Sequence, residues 1–405
     1  MRRGKPILIV GGGPAGSFTA LHLLARRPDL ADDILLLDAR PLGRDKICAG
    51  GVAGRVIKGA AEELDIDLSG LEGRDAAGLI VKFEGRLSAT ERPGLARVIR
   101  RNILDAHLLG RVMERGVEVR TGTAVTGVRR IRDGIAVETR DGLLEAKVLV
   151  GADGVNGVTK KSLGVAAGRA KEYLWMVEVP GADVPPMLAL DYTPILSDIP
   201  GYAWVFPTAD GANAGITGGS AGNMKHLRTQ LERTAAESFG LALDQPGLEF
   251  KIYPERFFSF GVASHAERVL YVGDKLGVTP MTGEGIGICF SSGRAAALEI
   301  IAALRGNDFS FRRYPWRLAA SDFVPTWFME YVFMKWKSAR LFDLFFKLAT
   351  SENRPGGSFL DDYCRIFAGE VPAQSLAGWG VLLKALPSRK LLGEMARRPV
   401  GRITG

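Results

Sequence analysis

The feature that most constrains this chain stands near its start. An apolar run, Ile7-Leu8-Ile9-Val10, breaks into Gly11-Gly12-Gly13-Pro14-Ala15-Gly16, and a helical pattern follows over residues 17–26. A short apolar run bounded by glycine reads as a buried strand. The glycines fall as Gly11-x-Gly13-x-x-Gly16. In that spacing the first permits a tight turn, the second lets backbone approach a pyrophosphate, and the third lets helix and sheet pack closely. The helix N-terminus then offers free N–H groups to phosphate oxygens. A second strand, Ile34-Leu35-Leu36-Leu37, ends at Asp38, about 20 residues on, where an acid can take a ribose hydroxyl. A glycine turn with its strand, helix and acid in order predicts a dinucleotide site; alone it would be only a turn.

At 405 residues the chain is long for a single core, and two interleaved domains are expected. Its 46% hydrophobic and 24% charged residues describe a globular chain, not a disordered one. A net charge of +8 favours anionic partners, whether phosphate-bearing ligands or anionic lipid. The basic residues form scattered pairs, such as Arg100-Arg101 and Lys160-Lys161, with no interleaved aromatic stripe, which argues against nucleic acid. The three cysteines, Cys48, Cys289 and Cys364, have no CxxC spacing, and the four histidines have no ligand spacing. That excludes a structural zinc or iron–sulfur pattern and fits a reducing compartment. The opening Met-Arg-Arg-Gly-Lys precedes only four apolar residues, too few for a signal sequence. No run reaches the roughly 18 apolar residues needed to span a bilayer. A cytoplasmic protein is expected, with peripheral contact at the inner face of the membrane as a further option.

The loop after Asp38 carries Arg40, then Cys48 beside the small residues Ala49, Gly50 and Gly51, which allow backbone to approach a flat ligand. Cys48 is either a small buried apolar residue or a thiol held near a redox centre. A helix is expected over 52–64, strands over 78–83 and 86–90, and a helix over 97–115 that contains Arg101. Strands follow over 117–120, 124–131 (with Val125), 135–139 and 143–150. The last runs into Gly151-Ala152-Asp153-Gly154, a second turn suited to a ligand, and a helix to about 163. Residues 171–260 then read as a mostly antiparallel sheet with strands at 173–179, 202–206, 212–217 and 248–253, around a polar helix over 225–239. Alternation places Tyr202, Trp204 and Phe206 on one face, just before Pro207, as core or as the wall of an apolar pocket. A strand over 269–272 closes on Gly273-Asp274, and Gly283-Glu284-Gly285-Ile286 opens a helix of small residues to about 304.

Over residues 5–305 these motifs together resemble FAD-dependent oxidoreductases of the para-hydroxybenzoate hydroxylase type. The resemblance rests on three separated groups in order: the Gly11–Gly16 turn with Asp38, the Gly151–Gly154 turn, and Gly273-Asp274 with Pro280 and Gly283 to Ile286. It implies a Rossmann-type FAD-binding domain, α/β, over 1–170 and 261–308, with an inserted α+β substrate domain over 171–260 and a helical C-terminal region over 309–405. It also implies that Asp38 holds the adenosine ribose, that Asp274 holds the ribityl chain, and that the amides of Gly285 and Ile286 face the pyrimidine edge of the flavin. A helix N-terminus there stabilises negative charge on the reduced ring.

Within that group, Lys46-Ile47-Cys48-Ala49-Gly50-Gly51, Arg101-x-x-Leu104-Asp105 and Tyr202-x-Trp204-x-Phe206-Pro207 look like the geranylgeranyl reductases. Those enzymes saturate double bonds of isoprenoid chains, and the aromatic motif belongs to their lipid cavity. The resemblance implies cofactor contacts from Gly11, Gly13, Pro14, Ala15, Gly16, Asp38, Arg40, Cys48, Ala49, Gly50, Arg101, Val125, Asp153, Gly273, Asp274, Pro280, Gly283, Gly285 and Ile286. Cys48 is the candidate catalytic thiol, with water and the reduced flavin as other proton sources. The chain departs from the family at Lys275-Leu276, where a small pair is usual, and at Leu104, where Phe is usual. The sequence holds no second dinucleotide fingerprint, so NAD(P)H binding transiently, or a protein electron donor, is expected to reduce the flavin.

Residues 316–350 form a cationic, aromatic helical pattern, with Trp327, Tyr331, Met334 and Phe345 at spacings of three and four. Such a helix packs on the domain, docks on anionic membrane or roofs a lipid tunnel. Another short apolar helix is expected over 379–386. The alternative to a reductase is a flavin-dependent monooxygenase or halogenase acting on an aromatic or polyketide-like substrate. The halogenases' catalytic lysine element is not found, and Cys48-Ala49-Gly50-Gly51 stands in its place. A non-catalytic electron carrier or redox sensor is the third class.

Overall fold

The computed structural model describes residues 5–168, 171–199, 201–258, 261–279, 282–321, 346 and 359–372. The first strand, β1 (Ile7–Val10), is buried along its whole length, as an uninterrupted apolar run in a parallel sheet must be. After it come α1 (Pro14–Arg26), β2 (Ile34–Leu37), β3 (Gly51–Ala53) and α2 (Gly54–Leu64). The chain continues through β4 (Arg74–Phe83), β5 (Arg86–Val98), α3 (Arg101–Glu114) and β6 (Glu118–Arg120). β7 (Val125–Ile131), β8 (Gly134–Thr139), β9 (Gly142–Ala146), β10 (Val148–Gly151) and α4 (Thr159–Ser162) follow. Next are β11 (Glu172–Pro180), β12 (Leu188–Asp191), β13 (Ala203–Thr208), β14 (Gly211–Gly219), α5 (Met224–Phe239) and β15 (Phe250–Glu255). The last described elements are β16 (His265–Ala266), β17 (Val269–Tyr271), α6 (Ile286–Gly306), α7 (Tyr314–Ala319) and α8 (Phe359–Phe367).

The first sheet has the order β16-β17-β10-β1-β2-β6. Within it β17, β10, β1, β2 and β6 run parallel, and the register sets Val10 opposite both Leu37 and Gly151, and Gly151 opposite Tyr271. The carboxyl ends of these strands are therefore level. Gly11, Asp38, Ala152 and Val272 leave the sheet along one edge. β1 is also where the strand order reverses, the position at which open α/β sheets bind ligands.

A second sheet has the order β15-β11-β14-β13-β12-β4-β5-β3, antiparallel except for the β4–β12 pair. One face packs with α5 through Ala203, Val205, Leu227 and Leu231, and the other carries Tyr202, Trp204 and Phe206. Period-two alternation thus separates small from aromatic side chains across β13. The remaining sheet is the meander β7-β8-β9.

Several boundaries differ from the periodicity reading, and each difference has a long-range partner behind it. Helix α2 starts at Gly54, not at 52, because Gly51–Ala53 pairs with the end of β5. The same pairing holds Arg97 and Val98 in a strand, so the helix expected from 97 begins at Arg101. The strand expected over 143–150 is two strands: β9 completes the meander, and β10 joins the parallel sheet. The helix expected to 163 is a single turn. The second sheet is wider than the segment 171–260, since β3, β4 and β5 extend it. Apart from α7, Ala320, Ser321 and Phe346, the aromatic pattern over 316–350 lies outside the described residues, as does the segment 379–386.

Helix α6 has the length and hydropathy of a membrane span, yet 83% of its apolar window is buried inside the fold. It is a core helix. Phe18 of α1 meets Phe290 of α6 edge-on at 5.1 Å between ring centroids. Gly293 lets the two helices close: a Cβ added there would lie 2.9 Å from the Thr19 amide nitrogen. Because that neighbour is backbone, the helices must move apart to admit a methyl group. Gly293→Ala is expected to lower stability by about 1–3 kcal/mol, measured by urea unfolding with an unchanged circular dichroism spectrum.

Candidate functional site

A cavity of about 920 Å³ opens at the level strand ends and continues along the aromatic face of the second sheet. Its first end is built by glycine sterics. Gly11 has φ +113°, and a Cβ there would lie 2.3 Å from the Ala152 carbonyl oxygen. A Cβ at Gly16 would lie 1.9 Å from the Gly11 carbonyl oxygen. These two glycines let strand, turn and helix touch. Gly13 differs, since its missing Cβ would face Arg44 Nη2 at 3.1 Å, with Asp105 and Arg101 within 4.0 Å. It is the N-cap of α1 and supplies no side-chain cap, so the positive helix end opens on the cavity wall formed by Gly13, Pro14 and Ala15. A close backbone approach, an uncapped helix and adjacent arginines suit a pyrophosphate. Asp38, at the end of β2, accepts N–H bonds from Gly12 at 2.7 Å and Arg40 at 2.8 Å, so it braces the turn while lining the cavity.

Buried charges of alternating sign run around this end. Arg101 donates to both carboxylate oxygens of Asp105, one helical turn on, at 2.7 and 3.0 Å. Arg44 lies 3.4 Å from Asp105 and 3.8 Å from Asp38. Lys46 lies 3.2 Å from Asp274. Burial alone would raise the Asp274 carboxyl, but Lys46 and Arg101 outweigh it and hold it below the usual carboxylate range. For Lys46, burial works against the charge, and Asp274 more than restores it, leaving the ammonium above its usual range. Such charges are tolerated inside a protein because each is paired.

The far end is built by a second uncapped helix. Gly285 precedes α6 with no side-chain cap, and Gly283, Gly285 and Ile286 line the cavity with Asp274. Gly283 has φ +61°, and a Cβ there would lie 2.3 Å from the Tyr202 hydroxyl oxygen, so this loop abuts the aromatic wall. Glu284 is tied to Arg55 of α2 at 2.5 Å. Trp204 donates its indole N–H to Asn213 Oδ1 at 2.8 Å, and Asn213 donates to Glu178 at 2.6 Å. The indole is thereby satisfied while its ring faces the apolar cavity.

Of the residues named from the sequence, the wall contains Gly11, Gly13, Pro14, Ala15, Asp38, Arg40, Cys48, Ala49, Gly50, Arg101, Val125 and Asp153, and also Asp274, Gly283, Gly285, Ile286, Tyr202, Trp204 and Phe206. Gly16 and Gly273 stand behind it, and a Cβ at Gly273 would lie 2.6 Å from that of Ala15. Pro207 is off the wall, opposite Ala212 in the sheet, and Pro280 lies outside the described residues. The Asp153 carboxylate serves the fold: it accepts from the Thr159 amide at 2.9 Å and hydroxyl at 2.7 Å, and pairs with Lys275 at 3.1 Å. Lys275 is not itself a lining residue; it is buried behind the wall, its ammonium donating to the Gly157 carbonyl at 2.8 Å. Cys48 Sγ accepts the Gly50 N–H at 3.4 Å and closes its turn. Cys289 and Cys364 also line the cavity, and burial pushes both thiols up to about 12.

Arg44, Thr217 and Glu255 line the site and escape the sequence reading, while Lys46 and Asp105, which the resemblance motifs contain, are given no role there. Asp105 carried a signal, its i,i+4 spacing from Arg101. The others sit in an aperiodic loop or an ordinary strand. Asp105→Ala leaves Arg101 buried without its bidentate partner and is expected to cost about 3–5 kcal/mol of stability. Asp105→Asn, which keeps the shape, is expected to cost less, with denaturant unfolding as the measurement.

The profile of the FAD-binding domain matches residues 49–189. The digeranylgeranylglycerophospholipid reductase 2 of Methanothermobacter thermautotrophicus is 29% identical over 335 residues, covering 77% of this chain and 82% of that protein. Among solved structures, a geranylgeranyl bacteriochlorophyll reductase-like protein of Thermoplasma acidophilum superposes with a TM-score of 0.73 at 22% identity, covering 96% of this chain and 98% of the other. A flavin-dependent brominase superposes with a TM-score of 0.67 at 18% identity, covering 98% and 100%; at that identity it shares the fold alone. The chain is an FAD-dependent oxidoreductase related to the digeranylgeranylglycerophospholipid reductases.

Proposed function

We propose that this protein saturates carbon–carbon double bonds in the prenyl chain of a lipid, using reduced FAD. The observation that carries the reading is the continuity of the cavity, which joins a charged, glycine-lined end to an apolar wall of Tyr202, Trp204, Phe206, Leu79, Leu188 and Leu190. The names of the curated relatives support the same substrate class.

In this reading the α1 N-terminus, Arg44 and Arg101 hold the cofactor's pyrophosphate, Asp38 takes the adenosine ribose, and Asp274 takes the ribityl chain. The N-terminus of α6, at Gly285 and Ile286, faces the flavin ring, and Cys48, Ala49 and Gly50 close over it. FAD, when bound and reduced, supplies a hydride equivalent. The apolar wall orients the alkene and excludes water. NAD(P)H or a protein electron donor restores the reduced cofactor. The cofactor domain draws on residues 1–170 and 261–308, apart from β3, β4 and β5, which join the second sheet, and the insertion over 171–260 supplies most of the lipid wall. Contact with an anionic membrane is supported by Trp316, which is 77% exposed on α7 and followed by Arg317, with Arg312 and Arg313 just before the helix.

Anaerobic incubation of dithionite-reduced protein with a geranylgeranyl-bearing phospholipid is expected to add pairs of hydrogens to the lipid, read by mass spectrometry. No gain of hydrogen, with labelled oxygen from O₂ appearing in an aromatic product, would instead establish a monooxygenase. Trp204→Ala is expected to retain FAD absorbance and lose at least about tenfold in lipid reduction, as expected for a misplaced substrate; Trp204→Phe should retain more. Loss of FAD from Trp204→Ala would place the ring in the structural core.

A further inference from the structure

We infer that Glu255 is the acid that supplies the proton for alkene reduction, acting where the flavin-facing loop meets the lipid-facing wall. The inference rests on the reductase reading. Glu255 ends β15, is only 8% exposed and lines the cavity. Its carboxyl accepts a hydrogen bond from the Thr217 hydroxyl, and among the described residues no lysine or arginine pairs with it. Thr217 donates its backbone N–H to the Tyr202 carbonyl at 3.0 Å. Tyr202 in turn reaches Gly283 through its hydroxyl. Acid, threonine, tyrosine and glycine loop are thus linked across the junction.

The groups around Glu255 favour its neutral form. Glu172 lies opposite it in register on β11, and Asp274 acts on it from the turn after β17. Thr217 faces it from β14, and its own segment contributes Lys251, Tyr253 and Arg256 nearby in sequence. Burial, reinforced by Glu172 and Asp274, pushes the carboxyl up to about 8. A carboxyl kept neutral near the working pH suits a general acid. The alternatives are less apt. Cys289 and Cys364 are far weaker acids, and Cys48 is engaged through its sulfur by the Gly50 amide.

An isolated alkene is a poor hydride acceptor, so protonation must accompany hydride addition. One alkene carbon gains the hydride and the other gains the Glu255 proton, so two C–H bonds replace one π bond. Both electrons come from the reduced flavin, which ends oxidised. The carboxylate left on Glu255 regains its proton from water.

The test compares FAD-loaded wild-type protein with Glu255→Gln and Glu255→Asp. Without substrate, infrared spectra with labelled glutamate should show a protonated carboxyl that vanishes as pH rises through about 8, and that is absent from Glu255→Gln. In anaerobic single turnovers with a geranylgeranyl-bearing phospholipid, the wild-type rate should hold below that pH and fall above it, because the acid form is the active one. Glu255→Gln should keep FAD absorbance and lipid binding but lose roughly 100-fold or more in rate, while Glu255→Asp retains part of it. A missing carboxyl band, or a Glu255→Gln rate and pH profile equal to wild type, overturns the assignment. Wild-type protein that reduces no prenyl lipid overturns the reductase reading itself, and the assignment with it.

Discussion

The level ends of the parallel strands are the constraint on which the site depends. With Val10 in register with Leu37 and Gly151, and Gly151 with Tyr271, the turns that follow must emerge side by side. Each contributes to the cavity wall: the glycine turn after β1, Asp38 after β2, the Asp153 turn after β10 and Asp274 after β17. No turn alone forms a site. Their convergence creates a crevice with two helix N-termini aimed into it, and the electrostatics follow from the topology.

The buried charges then lock the crevice to the rest of the molecule. Arg44 comes from the loop after β2, Arg101 and Asp105 from α3, Lys46 from the same loop as Arg44, and Asp274 from the far end of the chain. Their pairing places Arg44, Lys46 and Arg101 on the cavity wall with a carboxylate partner for each. These interactions hold α3 and the 39–48 loop against the sheet, and in the proposed reading they would also position the cofactor. Stability and binding draw on one set of contacts.

Across the junction the demands reverse. The aromatic wall is built from a strand with strict alternation, where polar needs are met out of the cavity's way, as when Asn213, itself held by Glu178, accepts the Trp204 indole N–H. Glu255 is the exception that the wall retains, a carboxyl that pairs with no lysine or arginine among the described residues. Near Asp274 and Glu172 its ionisation is opposed, so a group that would be an anion on the surface is held as an acid here. Low dielectric makes this difference large, since charge–charge interactions strengthen as water is excluded.

Much of this was legible in the chain itself where the cause is local. The β1 turn, helix α1, strand β2 and Asp38 follow from sterics and periodicity within some thirty residues, and alternation in 202–206 placed three rings on one face before any partner was known. The pairing of β3 with β5, the division of β9 from β10, and the reach of the second sheet into residues 51–98 were not legible. Each depends on which distant strand offers hydrogen bonds, and hydrophobicity reads alike in either sheet. The site shows the same division. Lys46 meets Asp274 across 228 residues, and Arg55 meets Glu284 across 229. Glu255 reads in sequence as one more polar residue at a strand end, and only tertiary burial beside other carboxylates turns it into an acid. The sequence by itself determined the first glycine turn, the two strands and the helix around it, and the dinucleotide class of the cofactor, because those arise from backbone geometry over short spans. The tertiary structure alone decided which charges are paired and which carboxyl stays neutral, because solvation and distance between remote residues exist only once the chain has folded.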